Sequence, residues 1–149
     1  MRRQRARTGA GSDTGSVSLE VVILAPVLML FVLMVVFGGR WAIAQQAVAS
    51  AASEAARAAS IARSAGEASG TASAAASASL ANQNLRCATQ SVSVDTSGFA
   101  VPEGTPATVS ATVTCVVDMS DLAAPGVPGS RTLTSTMNSP LDTFRSRQG

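Results

Sequence analysis

The sequence predicts an α+β chain: a long N-terminal transmembrane helix continuing into an alanine-rich helix, then a small antiparallel three-stranded sheet. Three observations predict it. Val21 to Phe37 is an unbroken apolar run, Ala42 to Leu85 is dominated by alanine and serine, and from Arg86 onward β-branched residues take over between glycine- and proline-rich turns. The expected organisation is a basic cytoplasmic leader at 1–15, a transmembrane helix at 16–39, an Ala/Ser-rich helical stalk or linker at 40–85 and a small β domain at 86–149.

The first element follows from length and polarity. Val21 to Phe37 holds no charged and no strongly polar side chain. At about 1.5 Å of rise per residue, a helix from Val17 to Gly39 reaches roughly 34 Å, enough to cross a hydrocarbon core of about 30 Å. Pro26 is compatible with such a span, where neighbouring groups re-satisfy the freed carbonyl, and should kink it locally. Four arginines (Arg2, Arg3, Arg5, Arg7) precede the run and only Arg40 follows it closely. That asymmetry keeps the N-terminal arm in the cytoplasm and exports the rest.

The formal charge of +2 hides this polarity of the chain. Residues 1–15 carry four arginines and one aspartate; the remainder carries seven arginines and eight acidic groups. The basic arm therefore reads as a topology signal. With one Trp, no Tyr and no Lys, the exported part lacks the aromatic and basic clustering that nucleic-acid binding requires.

Two processing routes compete for the apolar segment. One cuts after Gly15 and leaves the helix as an anchor. The other treats residues 1–44 as a secretory signal peptide, with Ala42-Ile43-Ala44 before the cut and a secreted binding module as the product. Against the second, the run exceeds the usual 7–15-residue apolar core of a signal peptide, and Arg40 and Trp41 crowd the cut.

Beyond the span, Ala42 to Ala65 should continue as helix, since alanine is the best helix former and the stretch has no proline or glycine. Val48, Ala51, Ala52, Ala55, Ala58, Ala59 and Ala62 form a stripe of small side chains at helical spacing; Ile61 falls outside it. Such a stripe suits close packing, against sister subunits or the chain's own head, and suits a solvated stalk equally. Gly66 and Gly70 are expected to interrupt the helix. Thr71 to Leu85 reads as a second helix or as a low-complexity linker.

Three strands are expected, at Thr89 to Asp95, Ala107 to Asp118 and Arg131 to Met137. In the second, Val109, Ala111, Val113, Cys115 and Val117 share one face and Thr108, Ser110, Thr112 and Thr114 the other. Thr96-Ser97-Gly98, Pro102 to Pro106 and Ala124 to Gly129 supply turns, so a meander is the economical topology. With Val92 opposite Ala111 and Val94 opposite Val109, Ala88 falls opposite Cys115 and Cys87 comes within reach of it. A Cys87–Cys115 disulfide would close a loop of about 29 residues and contribute roughly 3–4 kcal/mol in the chain-entropy account. An exported compartment is oxidising, and two cysteines without histidine are too few for a zinc site.

Catalysis finds no foothold in these residues. There is no histidine, no Gly-rich phosphate loop and no nucleophile elbow, and no cofactor is expected. Glu54, Glu67, Asp95, Glu103, Asp118, Asp121 and Asp142 are scattered; the nearest pair, Asp118 and Asp121, lacks the further oxygen ligands of a calcium loop.

Gly15 followed by Glu20, with the apolar run behind it, is similar to a type IV prepilin cleavage site. The longer stretch from Gly15 to Pro26, the Ala55-Ala56-Arg57-Ala58-Ala59 segment and the Thr-rich last strand ending near Pro140-Leu141-Asp142 resemble the TadE-like family of pilus assembly proteins. The chain departs from many major pilins in carrying Ser16, not Phe, at the new N-terminus, and Val21 after the glutamate. The resemblance implies a non-enzymatic minor pilin or pseudopilin of a Tad/Flp tight-adherence pilus. It implies cutting between Gly15 and Ser16 by a membrane prepilin peptidase, and other pilin subunits, the assembly machinery and membrane lipid as partners. A Ser16 α-amine paired with Glu20 of an adjacent subunit would then relieve a charge stranded at the membrane edge. The expected location is a single-pass membrane protein with its C-terminal domain exported, incorporated in a cell-surface pilus.

Overall fold

Helix-favouring residues fill the first half of the chain and β-branched residues the second, and the elements follow that division. The computed structural model describes residues 14–122, 129–144 and 146. The arginines of the expected leader and most of the expected Ala124 to Gly129 turn lie outside these residues. The element order is α1 (Thr14–Ile61), α2 (Ala65–Asn82), β1 (Thr89–Asp95), a 3-10 turn (Ser97–Ala100), β2 (Thr108–Asp118), the single turn α3 (Met119–Leu122) and β3 (Ser130–Pro140). The chain divides into two compact units, Met1–Val36 and Phe37–Gly149.

The first unit is helical throughout its described part, and Pro26 sits inside α1 without ending it. Val21 through Val36 are exposed on every side of the helix. The best eighteen-residue window beyond Val21 has a mean hydropathy of 3.0 and is 0 % buried. A helix apolar all round calls for an apolar environment on all sides, which is the property of a membrane span.

In the second unit, α1 and α2 form a helical hairpin against one face of the sheet. The hairpin turns at Ala62 to Ser64, earlier than glycine placement suggested. Gly66 and Gly70 lie inside α2 and do not break it. The break comes from capping: the Ser64 hydroxyl accepts the Glu67 N–H at 3.2 Å, and the Glu67 carboxylate accepts the Arg63 N–H at 3.0 Å. This Ser-x-x-Glu arrangement satisfies donors at the start of α2 that the helix itself leaves unpaired. At the other end Asn84 adopts φ +54° and Leu85 N–H donates back to the Leu80 carbonyl at 3.1 Å, closing a Schellman-type cap.

Thr71 Oγ1 donates toward the Ala58 carbonyl and Gln83 Nε2 toward the Ala47 carbonyl, each at 3.5 Å, so the two helices run antiparallel at close range. Small residues permit that approach. Ala44, Ala47, Val48, Ala51, Ala52, Ala55, Ala56 and Ala59 of the first helix are buried, as are Ala62 in the turn and Ala68, Ala72, Ala76 and Leu80 of the second helix. The latter four recur every fourth residue and form one ridge. Ala58, placed in the stripe by spacing, is half-buried, and Ile61 is exposed.

The sheet has the order β1-β2-β3 with both pairings antiparallel. Val109, Ala111, Val113, Cys115 and Val117 of the central strand are buried, with Leu133 of β3 joining them. The opposite face is a lattice of hydroxyls, in which Thr112 and Thr136 bond at 2.8 Å and Thr114 and Thr134 at 3.3 Å. β3 runs to Pro140, beyond the expected Met137, because Asn138, Ser139 and Pro140 pair with Ser110, Val109 and Thr108. Proline is tolerated there at the end of an edge strand.

The expected β1–β2 register is corrected by two residues. Val92 lies opposite Val113 and Val94 opposite Ala111, which puts Gln90 rather than Ala88 opposite Cys115. A shift of two keeps every side chain on its face, so the buried set is unchanged. The connection takes up more chain than a simple turn would: it folds the Ser97–Ala100 turn inward and buries Phe99 and Gly98. A β-carbon added at Gly98 would collide with the Thr108 carbonyl, a close backbone approach open only to glycine. Asp95 starts this turn by accepting the Ser97 N–H at 3.0 Å, and that bond holds its carboxyl below the usual aspartate range.

Ala72 is 0 % exposed within the α2 ridge. Replacing it with leucine is expected to destabilise the folded unit by about 1–3 kcal/mol through overpacking. Denaturant unfolding of the full chain in detergent checks this, with Ala74→Leu on the exposed face as the comparison expected to stay near neutral.

Candidate functional site

α1 begins at Thr14, so Gly15, Ser16 and Glu20 all fall in its first two turns. Backbone placement alone is described for these residues. Ser16 and Glu20 are four positions apart, which in a helix sets them about 6 Å apart along the axis on one face. The apolar run begins directly after Glu20, at Val21. A carboxylate in that position stands at the boundary between a polar arm and an apolar surface.

The second unit presents a different chemistry. Cys87 and Cys115 are joined in a disulfide with their α-carbons 5.3 Å apart and a sequence separation of 28. Since Gln90 occupies the position opposite Cys115, Cys87 reaches it by a bend at the entry to β1, where the Ala88 N–H donates to the Val116 carbonyl at 2.7 Å. Cys115 is fully buried on β2 and Cys87 is half-buried at the margin of the core. The bond therefore ties the segment leaving α2 to the central strand.

The carboxylates of the second unit do not converge. Glu54, Glu67, Asp95, Glu103, Asp118 and Asp142 are exposed on different elements, and the Asp121 side chain lies outside the described residues. Among the described residues no group of three or more His, Cys, Asp or Glu side chains is placed to hold a metal ion. The chemistry on offer is non-covalent: an apolar helix, a charge at its edge, an alanine-packed hairpin and a hydroxyl-covered sheet face.

Sequence reasoning missed two arrangements. The Ser64–Glu67 cap was available as a Ser-x-x-Glu pattern but was outweighed by the nearby glycines. Arg40 and Arg86, far apart in the chain, line one pocket of the second unit. Only the fold brings them together.

Residues 15–57 match the family model described as TadE-like protein, so the similarity covers the N-terminal segment of the chain. The matched segment opens at Gly15, contains Glu20 and the whole apolar run, and stops within the buried alanine stripe of α1, before α2 and the sheet. Neither the curated proteins nor the solved structures contain a match to the chain.

The disulfide gives a direct test of what holds the sheet to the helices. The double substitution Cys87→Ala with Cys115→Ala is expected to cost roughly 3 kcal/mol of unfolding free energy. Denaturant midpoints of the oxidised chain and the double variant measure it; coincident midpoints would remove the disulfide from the account of stability.

Proposed function

We propose that this chain is a minor pilin or pseudopilin of a Tad/Flp-type tight-adherence pilus, a structural or assembly component without enzymatic activity. A prepilin peptidase matures it by cutting between Gly15 and Ser16. The observation that carries this reading is that the TadE-like segment opens at Gly15, with Glu20 five residues on and the apolar run directly behind.

The physical consequences of the cut fit such a role. It removes the four leader arginines that hold the chain's N-terminus on the cytoplasmic side, and it creates an α-amine on Ser16. The amine and Glu20 are about one helical turn apart on the same helix, so a neighbouring subunit displaced axially by about a turn brings its amine level with this carboxylate. Pairing the two offsets the cost of a lone charge beside hydrocarbon. The exported unit, with its disulfide, then stands on the oxidising side of the membrane.

The alternative, a secreted module released after Ala44, is disfavoured by packing. Ala44 is 3 % exposed and belongs to the buried cluster, with Trp41 packed against that cluster. A cut there would strip both residues from the core and leave a new terminus three residues before the buried Val48.

N-terminal sequencing and intact mass of the mature protein are expected to give a chain beginning at Ser16. Gly15→Leu is expected to leave the leader in place; a chain beginning at Gln45, or an uncut one in the native host, would overturn the assignment. Glu20→Ala is expected to leave processing intact but to lower incorporation into assembled pili at least several-fold, read by immunoblot of the sheared filament fraction. Undiminished incorporation would remove the amine–carboxylate pair.

A further inference from the structure

Gly38 and Gly39 stand side by side near the middle of α1, a helix of 48 residues. An adjacent glycine pair is the weakest dipeptide a helix interior holds short of one with proline, because glycine regains more backbone freedom on unwinding than any other residue. A helix has a packing reason for glycine where a neighbour leaves no room for a β-carbon. No neighbour does so here. A β-carbon built at either position has nothing within 4 Å among the described residues, and both glycines are exposed.

Support is also missing along the helix on either side. Before the pair, residues 21–36 are exposed all round and, in a membrane, meet only lipid. After it, Trp41 packs against the buried cluster and Ala44 is the first residue fully within it. The division into compact units falls between Val36 and Phe37, just before the pair. Gly38 and Gly39 are therefore held by the hydrogen bonds of the helix itself. Those bonds lie where the apolar run gives way to water and headgroups, so backbone groups that leave the helix find new partners there, which hydrocarbon does not offer. The contrast is α2, where Gly66 and Gly70 also have open space at the β-carbon position. They are separated, and the buried Ala68 and Ala72 hold that helix to the core across them.

We propose that Gly38-Gly39 is a hinge: α1 opens there for part of the time, and the second unit changes its inclination to the span while both keep their own structure. Opening breaks the bonds that cross the pair, those donated in α-helical geometry by the Arg40, Trp41, Ala42 and Ile43 amides to the Val36, Phe37, Gly38 and Gly39 carbonyls. A span held at one depth in lipid then leaves the second unit free to meet a partner at more than one angle. The inference rests on the apolar run being a membrane span and does not depend on the pilus assignment or the cut at Gly15.

Hydrogen exchange resolved to single amides, on the full chain in lipid nanodiscs, tests the opening. The amides of residues 40–43 are expected to be at least tenfold less protected than those of residues 30–35 and 51–59. Gly38→Ala with Gly39→Ala is expected to raise their protection about 25-fold, the equivalent of about 1 kcal/mol for each glycine, and to leave residues 51–59 unchanged. Spin labels on Met29→Cys and Ser53→Cys, with the native disulfide kept oxidised, report the motion itself: the distance distribution is expected to be broad and to narrow in the alanine pair. Protection at residues 40–43 equal to that at 51–59, or a distribution that the alanine pair leaves unchanged, would overturn the hinge. Rapid exchange at residues 30–35 would instead refute the span, and the hinge with it, while leaving the folded second unit as described.

Discussion

The contact between alanine faces is the constraint on which the folded unit depends. A methyl group fills little space, so α1, α2 and the sheet can bury their surfaces only if the backbones come close; the 3.5 Å approaches from Thr71 and Gln83 to carbonyls of α1 record that closeness. Each buried methyl contributes only about 0.8 kcal/mol, against roughly 1.5–3 for a valine or leucine side chain. Stability must then come from many such contacts in register. This also explains why the larger buried side chains, Val109, Val113, Val117 and Leu133, are concentrated on the strands. The helices supply proximity and the sheet supplies volume.

A core of this kind has little reserve, and the covalent and capping features sit where the reserve is thinnest. β1 is an edge strand whose inner positions Val92 and Val94 are only half-buried. The Cys87–Cys115 bond joins its entry to the central strand, and the Leu80–Leu85 cap fixes the chain between α2 and that entry. At the other end of α2, the Ser64–Glu67 cap sets the point at which the hairpin turns. Together these define where α2 starts, where it stops and how the chain enters the sheet, which weak lateral packing alone would leave loosely specified.

The parts of the fold with a strong period were legible in the sequence. Alternation in β2 gives the buried face residue by residue, and the unbroken apolar run gives the first helix, because each signal repeats over many positions. The helix break was harder to read: glycine weakens a helix by about 1 kcal/mol, whereas a side-chain cap is worth as much and acts at a single position. Two glycines in α2 are therefore tolerated while Ser64 ends the ambiguity. The β1–β2 register differed by two because the burial of Phe99 consumes chain that a simple turn would have left in the ladder. For the candidate sites the same division holds. Gly15 and Glu20 are readable as a local motif, but the meeting of Arg40 and Arg86 depends on the hairpin and has no local signature.

The first unit poses the complementary problem. Its apolar residues face outward all round the helix, so lipid can satisfy them from any direction and their burial alone selects neither a neighbour's rotation nor its axial position. A carboxylate at the edge of that surface changes the situation, since it is costly wherever it is unpaired and favourable only where a cation meets it. The free energy at stake varies sharply with axial displacement, whereas contacts between smooth apolar faces vary slowly. In the proposed pairing with a neighbouring Ser16 amine, Glu20 would set register where the apolar run supplies only affinity for the membrane. This is the same division of labour by which a single buried polar group fixes alignment in a coiled coil at a cost in stability.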